Sequence, residues 1–162
     1  MTTRTLTLDD TDATLRVGAR LATSLEGGML VTLRGELGAG KTTLARGILR
    51  GLGHEGAVKS PSYAVVEHYR FSSLYFYHFD FYRFADPREW ETAGFAEYFR
   101  DDSVALVEWP ERAAGFLPLP DLDLALTMRD DRPGRTLVAT AATPRGERAL
   151  VALSTIPDTR PD

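Results

Sequence analysis

The sequence GELGAGKT at residues 35–42 constrains the fold of this chain more than any other feature. It fits the pattern G-x-x-x-x-G-K-[ST], in which glycines let backbone N–H groups surround an anion at the start of a helix. The pattern is informative only between a strand and a helix. Residues 29–34 are rich in strand formers, and Leu44, Ile48 and Leu52 share one face of a predicted helix. The sequence therefore predicts a strand, an anion-binding loop and a helix.

The residue types within this loop are those that a nucleotide site requires. Lys41 is placed to reach the β and γ phosphates, and the Thr42 hydroxyl can ligate Mg²⁺. A glycine turn without a ligand is the alternative, but a chance match is expected in only about one chain per few hundred. The candidates for backbone contact with phosphate are Gly35, Gly38, Ala39 and Gly40.

A site for Mg²⁺ and nucleotide also needs an acid at the end of a neighbouring strand. Asp80 ends YFYHFD and Glu108 ends VALVE, and the run before Glu108 is the more apolar. We predict that Glu108 holds the metal, directly or through water. Asp80 then either contacts the ligands of the metal, without binding the metal directly, or orients an attacking water. The alternatives are an ion pair between Asp80 and Arg83, and a solvated strand end at Glu108.

Further elements are predicted on both sides of the loop. A helix is expected over residues 14–27, where paired glycines end it. Residues 63–84 contain two runs of strand formers around a Ser-Ser turn, which is typical of a hairpin. Residues 103–108 (SVALVE) are predicted as a buried strand. Beyond residue 120, the stretches DLDLALTM, TLVATA and RALVAL are separated by turn sequences and are predicted as short strands.

Helix start signals are strongest at residues 85–99. Asp86 is a candidate N-cap, Pro87 occupies the first helical position and Glu89 the third, which together predict a helix. The whole pattern indicates an α/β fold. We expect one domain at residues 1–153 and a flexible tail at residues 154–162.

Composition excludes several classes of function. The formal net charge of −4 gives no global basic field for nucleic acid, and the absence of cysteine excludes disulfides and thiolate metal sites. The N-terminal sequence lacks the apolar core of a secretory signal, and no apolar run is long enough to cross a bilayer, so a cytoplasmic location without membrane contact is expected. The aromatic cluster and His78 at residues 75–84 are interpreted as packing rather than as a base-stacking platform or a proton carrier. Trp109 follows Glu108 directly and is expected to point the other way along the strand, in core or interface packing.

Several motifs in this order resemble the bacterial TsaE (YjeE) family: GELGAGKTTLARG, VKSPSY, YHFDFYR, ADPREWETAGFAEYF and VEWPER. The resemblance covers about residues 15–120. It implies a single-domain, P-loop NTPase-like three-layer sandwich with a central mixed β-sheet. It also implies an ATPase that uses ATP and Mg²⁺. Such a protein works with TsaD-like and TsaB-like proteins in making threonylcarbamoyladenosine beside the anticodon of tRNAs reading ANN codons, and tRNA contact is expected only through that complex.

The resemblance assigns the phosphate chemistry to the loop and the two strand-end acids. By this likeness Lys41, Thr42 and Thr43 bind nucleotide and metal, and Glu108 takes the Mg²⁺ role. Asp80 senses or attacks at the γ phosphate. Lys41 and Asp80 are the catalytic candidates that follow.

Two more segments are implied as nucleotide contacts. Ser60 and Ser62 belong to a loop that acts with Asp80 at the γ phosphate, and Ser62 keeps a hydroxyl where the family usually has threonine. The adenine contact is implied near Thr11, in the stretch DDTDAT, and near Arg132, in the loop DRPGR.

Two other functions remain open at this level. A small-molecule kinase of P-loop type would need an acceptor pocket and an arginine-bearing helical lid. A nucleotide-gated binding module would use ATP to set its affinity for partners without significant turnover. The Asn-Lys-x-Asp signature that usually indicates guanine specificity is absent, because the chain has no asparagine. No arginine finger is assignable in the chain, so a partner is expected to supply or order one.

Overall fold

A computed structural model describes residues 1–61 and 64–154 of the chain. In these residues a seven-stranded mixed sheet has the order β1-β7-β6-β2-β5-β4-β3. The strands are β1 (Thr2–Leu8), β2 (Leu30–Arg34), β3 (Val66–Arg70), β4 (Tyr75–Asp80), β5 (Ser103–Glu108), β6 (Leu122–Met128) and β7 (Arg135–Ala141). The α-helices are α1 (Thr11–Ala22), α2 (Lys41–Gly51), α3 (Glu89–Thr92) and α4 (Pro144–Leu153), and the 3₁₀ turns are Phe95–Tyr98 and Pro110–Ala113.

The centre of the sheet is parallel and its edges are antiparallel. β2 pairs in parallel with β5 and with β6, and β4 pairs in parallel with β5. β3 closes a hairpin with β4 at one edge, while β7 and β1 extend the other edge in antiparallel fashion. Parallel strands must be covered on both faces, which explains why β5 is buried along its whole length.

Two apolar clusters lie on opposite faces of the sheet and define three layers. On one face the side chains of α1, α2 and α4 pack against alternate strand residues such as Val31 and Leu106. On the other face α3 and the two 3₁₀ turns cover an aromatic cluster that includes Phe79 and Trp90. Because successive strand residues point to opposite faces, Leu106 and its neighbour Val107 belong to different clusters. The predicted three-layer α/β sandwich is confirmed.

Helices α1 and α2 touch through glycines. A Cβ atom added at Gly18 would lie 2.7 Å from the backbone nitrogen of Ile48, and one at Gly47 would lie 2.7 Å from the carbonyl oxygen of Leu15. Both distances are far below van der Waals contact, so the two backbones approach as closely as glycine allows. This contact fixes α2, which begins directly at the glycine-rich loop.

Several predicted elements are present where the sequence places them. The strand, loop and helix around residues 29–51 are confirmed, and so are the hairpin of β3 and β4 and the buried strand β5. Gly53, just after the end of α2, has a φ of +106°, the left-handed conformation in which many helices end. The first helix spans Thr11–Ala22 rather than residues 14–27, and Asp10 caps it by accepting the N–H of Ala13 at 2.8 Å.

The prediction of a strand at RALVAL is wrong, because this stretch lies in α4. Thr143 caps the helix by accepting the N–H of Gly146 at 3.2 Å, and Pro144 occupies its first turn. The buried residues of α4 recur at helical spacing: Gly146, Ala149, Leu150 and Leu153. The helix start signal of Thr143 and Pro144 therefore outweighs the strand preference that the apolar run RALVAL indicated. β1, which pairs with β7 over seven residues, was not predicted at all.

The continuous helix predicted over residues 85–99 is also wrong. Asp86 accepts the N–H of Arg88 at 2.9 Å, but α3 contains only four residues, and Gly94 takes a left-handed φ of +71° before a 3₁₀ turn. In an unbroken helix Trp90 and Phe95 would point about 140° apart. The break lets both rings enter the same cluster, where their centroids lie 5.9 Å apart. The predicted domain boundary at residue 153 stays a prediction, because residues 155–162 lie outside the described part.

Candidate functional site

The carboxyl ends of three parallel strands meet at one edge of the sheet. β2 leads into the glycine-rich loop, which we define as residues 35–43, while β4 ends at Asp80 and β5 at Glu108. In the sheet register Asp80 lies beside Glu108, and Glu108 lies beside Leu33 of β2. Ligands of open α/β sheets bind outside this edge. The parallel register therefore brings the two predicted acids next to the loop.

A cavity of about 560 Å³, here called the loop cavity, opens at this edge. Many of the predicted residues line it: Gly38, Gly40, Lys41, Thr42, Thr43, Ser60, Asp80 and Glu108. Gly38 and Gly40 have positive φ values of 81° and 103°, which side chains would strain. Gly40 precedes the first residue of α2, so the positive end of that helix faces the cavity. Gly35 and Ala39 line a separate cavity of about 460 Å³ next to Trp109.

Lys41 is held in a buried position between three groups. Its Nζ donates to the carbonyl oxygen of Gly35 at 2.7 Å and lies 4.0 Å from Oε1 of Glu108. The same atom lies 4.0 Å from the centre of the Trp109 ring. Burial lowers the pKa of Lys41, and the nearby carboxylates, Glu108 first, only partly oppose this effect. A buried cation with few neutralising contacts is well suited to bind an anionic ligand.

Glu108 is fixed by a histidine on the neighbouring strand. Nε2 of His78 lies 2.7 Å from Oε2 of Glu108, and both side chains are buried. In the described part of the chain, Nδ1 of His78 is buried without a hydrogen-bond partner. The neutral tautomer that carries its proton on Nε2 satisfies this geometry, because it donates to Glu108 and leaves only an acceptor unpaired. His78 therefore packs in the strand, as expected, but it also orients the carboxylate.

Asp80 forms a second polar cluster on the cavity wall. Its Oδ2 accepts the hydroxyl of Ser60 at 3.0 Å, and its Oδ1 accepts the N–H of Tyr82 at 2.9 Å. Asp80 is buried and both of its oxygens accept hydrogen bonds. Glu108 is buried too, so the alternative of a solvated strand end at Glu108 is wrong. The structure thus brings together Ser60 and Asp80, as the sequence predicted. Ser62 lies outside the described residues.

Trp109 was expected to point the other way from Glu108 and to pack in the core or an interface. It does pack against the aromatic cluster, but its ring also faces the site. The residue takes a left-handed backbone conformation with φ of 56° between β5 and the 3₁₀ turn Pro110–Ala113. Its ring consequently covers Lys41 and contacts the ring of Tyr82, whose centroid is 5.0 Å away. A positive φ at a tryptophan cannot be predicted from sequence. The sequence therefore contained no signal that the Trp109 ring lines the site beside Lys41.

A smaller cavity of about 320 Å³, here called the side cavity, lies on the other flank of the loop. Thr11 and Thr43 line it together with Gly134 and Arg135. The structure therefore brings Thr11 close to the loop DRPGR, as the resemblance implied. Arg132 is not among the residues that line this cavity, and its Nη2 lies 3.4 Å from Asp131 at the surface. Arg135, three residues further on, lines this cavity, and an adenine contact at Arg132 stays a prediction.

The donor set of the loop cavity fits Mg²⁺. Thr42, Asp80 and Glu108 offer only oxygen atoms, which this hard cation prefers. Among the described residues no group of three or more His, Cys, Asp or Glu side chains could hold a metal by itself. Mg²⁺ is typically bound by one or two carboxylates together with substrate phosphates, so such a sparse set is what this cation needs.

The mixed sheet, the strand-loop-helix at its centre and the acids at its edge define an α/β protein of the P-loop NTPase-like class. Residues 8–137 match the family described as "Threonylcarbamoyl adenosine biosynthesis protein TsaE". The chain therefore belongs to the TsaE family, whose members take part in tRNA threonylcarbamoyladenosine biosynthesis. The resemblance seen in the sequence motifs is confirmed.

Individual relatives agree over nearly the whole chain. The TsaE protein of Haemophilus influenzae is 43% identical over 152 residues, which cover 91% of this chain and 95% of that protein. The TsaE protein of Bacillus subtilis is 36% identical over 151 residues, covering 93% and 92% respectively. The crystal structure of Bacillus subtilis YdiB is similar with a TM-score of 0.81 at 29% identity, and 95% of each chain is covered.

Proposed function

We propose that this chain is a Mg²⁺-dependent ATPase that supports TsaD-like and TsaB-like partners in threonylcarbamoyladenosine modification of tRNA. The observation that carries the proposal is the loop cavity, in which Lys41, Thr42, Asp80 and Glu108 line one space beside the N-terminus of α2. Membership of the TsaE family supports the pathway.

The mechanism that we propose is mostly positioning. The glycine-rich loop and the N-terminus of α2 bind the phosphates, and Lys41 leaves the Gly35 carbonyl to meet the β and γ phosphates. Thr42 and Glu108 would hold Mg²⁺, and the bound cation neutralises charge on the phosphate oxygens. Asp80 accepts a hydrogen bond from the water that attacks the γ phosphate, and Ser60 keeps its carboxylate oriented.

The side cavity is the proposed place for the adenosine part of ATP. Thr11 and Thr43 lie on its wall, and the cavity shares Gly40 and Arg135 with the loop cavity. A single ligand can therefore occupy both cavities across the glycine-rich loop.

The elements after residue 110 favour ATP hydrolysis coupled to partners over the kinase alternative. Within the described residues, the chain from Pro110 onward forms the four-residue 3₁₀ turn Pro110–Ala113, then β6 and β7 of the sheet and finally α4, which packs on the sheet. None of these elements is an arginine-bearing helical lid over the loop cavity. The formal charge of −4 supports a tRNA contact made by the partner proteins rather than by this chain. None of the helices in the described part is long and apolar enough for a membrane span.

The test is ATP hydrolysis by the purified chain, alone and with TsaD-like and TsaB-like proteins and tRNA, with Lys41→Ala as the control. A slow basal rate that rises with the partners and disappears in Lys41→Ala supports the proposal. Phosphate transfer to an added metabolite without any response to the partners would make the chain a kinase. ATP-dependent partner binding without turnover would make it a nucleotide-gated binding module.

A further inference from the structure

Arg135, the first residue of β7, reaches across to the backbone of the glycine-rich loop. Its Nε donates to the carbonyl oxygen of Ala39 at 2.9 Å, and its Nη2 donates to that of Gly38 at 3.1 Å. The remaining nitrogen, Nη1, donates to the carbonyl oxygen of Gly134 at 2.9 Å. One guanidinium thus joins the end of β7 to two consecutive carbonyls of the loop, which lie 96 and 97 residues earlier in the chain.

We propose that Arg135 is a positioning residue that holds the glycine-rich loop in the form that accepts phosphate, an inference that rests on the proposed function. The carbonyl of Ala39 and the N–H of Gly40 belong to one trans peptide group and point in opposite directions. By binding this carbonyl, Arg135 turns the N–H of Gly40 to the opposite side of the loop. The peptide group between Gly38 and Ala39 is held at both ends. Its carbonyl accepts the bond from Arg135, and its N–H, that of Ala39, donates to the carbonyl of Glu36 at 3.0 Å.

The loop needs such an anchor because of its own composition. Gly38 and Gly40 both have positive φ, and glycine loses more conformational freedom on ordering than any other residue. Two charge-assisted hydrogen bonds from separate nitrogens of a planar guanidinium restrict both peptide planes at once, and the ammonium of a lysine lacks this fixed paired geometry. Arg135 also lines both the loop cavity and the side cavity, so its charge adds to the positive potential on both sides of the loop.

The first test needs no nucleotide. Amide hydrogen exchange is measured across residues 35–43 in the wild-type chain and in Arg135→Ala, Arg135→Lys and Arg132→Ala. Arg132 is the matched control, because it lies in the same loop and pairs only with Asp131 at the surface among the contacts described. Exchange in the glycine-rich loop should become about tenfold faster in Arg135→Ala, should be only partly restored in Arg135→Lys and should stay unchanged in Arg132→Ala. Unchanged exchange in both Arg135 variants would overturn the proposal.

The second test separates loop positioning from reading of the base. Binding of ATP, GTP and inorganic tripolyphosphate is measured by calorimetry with the same variants. Arg135→Ala should weaken the binding of every ligand that the wild type binds by about tenfold or more, tripolyphosphate included. Loss of ATP binding with tripolyphosphate binding intact would overturn the inference in favour of a direct contact with the base.

The two tests distinguish a failure of the Arg135 inference from a failure of the proposed function. If the wild-type chain binds none of the three ligands, the proposed function is wrong, while the exchange experiment still decides whether Arg135 orders the loop. If Arg135→Ala does not fold, Arg135→Lys keeps the charge and removes only the paired geometry, so its exchange and binding carry the decision.

Discussion

Nε2 of His78 lies 2.7 Å from Oε2 of Glu108, which leaves Oε1 of the same carboxylate on the side of Lys41, 4.0 Å from its Nζ. Histidine and glutamate sit on adjacent parallel strands, so the sheet itself fixes their separation. The carboxylate is consequently presented to the loop cavity in one orientation. A side chain that hydrogen-bonds to a metal ligand and orients it typically contributes a factor of about 10–100 to metal affinity.

Replacing His78 should therefore change the Mg²⁺ requirement of nucleotide binding. His78→Leu removes the donor to Glu108, and we expect the Mg²⁺ concentration for half-maximal ATP binding to rise about 10–100-fold. His78→Gln can place an amide N–H near the position of Nε2 and should recover part of this loss. Calorimetry with and without Mg²⁺ checks the result. A purely structural role for His78 would lower thermal stability in both variants without a selective change in the Mg²⁺ dependence.

The two strand-end acids should have separable effects. Glu108→Ala is expected to weaken Mg²⁺-dependent ATP binding more than Asp80→Ala does, because Glu108 is the proposed metal ligand. Asp80→Asn should instead lower the hydrolysis rate by about 10²–10⁴-fold with little change in affinity, since Asp80 is proposed to orient the attacking water. Titrations with Mg²⁺ and with EDTA, combined with rate measurements, give the ranking. The reverse order would exchange the two assignments.

The lowered pKa of Lys41 predicts a pH dependence. Lys41 binds phosphate in its charged form, which is lost as the pH rises, and burial moves this loss below the ordinary lysine value of 10.5. ATP affinity should therefore begin to fall at a pH below the ordinary lysine value, in a range where the phosphates are already fully ionised. The measurement is made in a Lys59→Arg background, because Lys59 is the other lysine of the chain. An affinity that stays constant up to the ordinary lysine value of 10.5 in this background would contradict the prediction.

The glycine contact between α1 and α2 predicts a stability effect. Gly47→Ala places a methyl group against the backbone of Leu15, and we expect a loss of about 1–3 kcal/mol in the free energy of unfolding despite the better helix propensity of alanine. Gly56→Ala is the matched control, because the atoms nearest its Cβ belong to the movable ring of His54. Urea denaturation of both variants gives the comparison. Equal midpoints for Gly47→Ala and the wild type would show that the helices can separate without cost.

Local patterns predicted the centre of the fold well. The motif at residues 35–42, the strand before it and the helix after it are set by sequence neighbours, and so is the acid that ends the apolar run of β5. The parallel register then follows from general rules of α/β sheets. This is why Asp80 and Glu108 could be assigned to the same edge before any coordinates were known.

Most features that the sequence did not predict depend on contacts between residues far apart in the chain. Arg135 meets the loop only because β7 pairs with β6 and β6 pairs with β2, and no local pattern distinguishes it from Arg132. The left-handed turn at Trp109 and the break at Gly94 serve packing with distant residues, so helix signals near Asp86 were overruled by the aromatic cluster. The strand predicted at RALVAL failed for a local reason instead, since the capping signal of Thr143 and Pro144 was overlooked.

The strand order has a consequence for the growing chain. β2, which leads into the glycine-rich loop, is flanked by β5 and β6, and both are more than seventy residues further along the sequence, as the pairing of Leu30 with Ala105 and of Val31 with Leu122 shows. During synthesis β2 therefore has no sheet neighbour until the ribosome has passed the middle of the chain. A nascent fragment that ends before β7 also lacks Arg135. The site near the N-terminus is thus completed only by the last strands to be made, so truncated chains cannot present it.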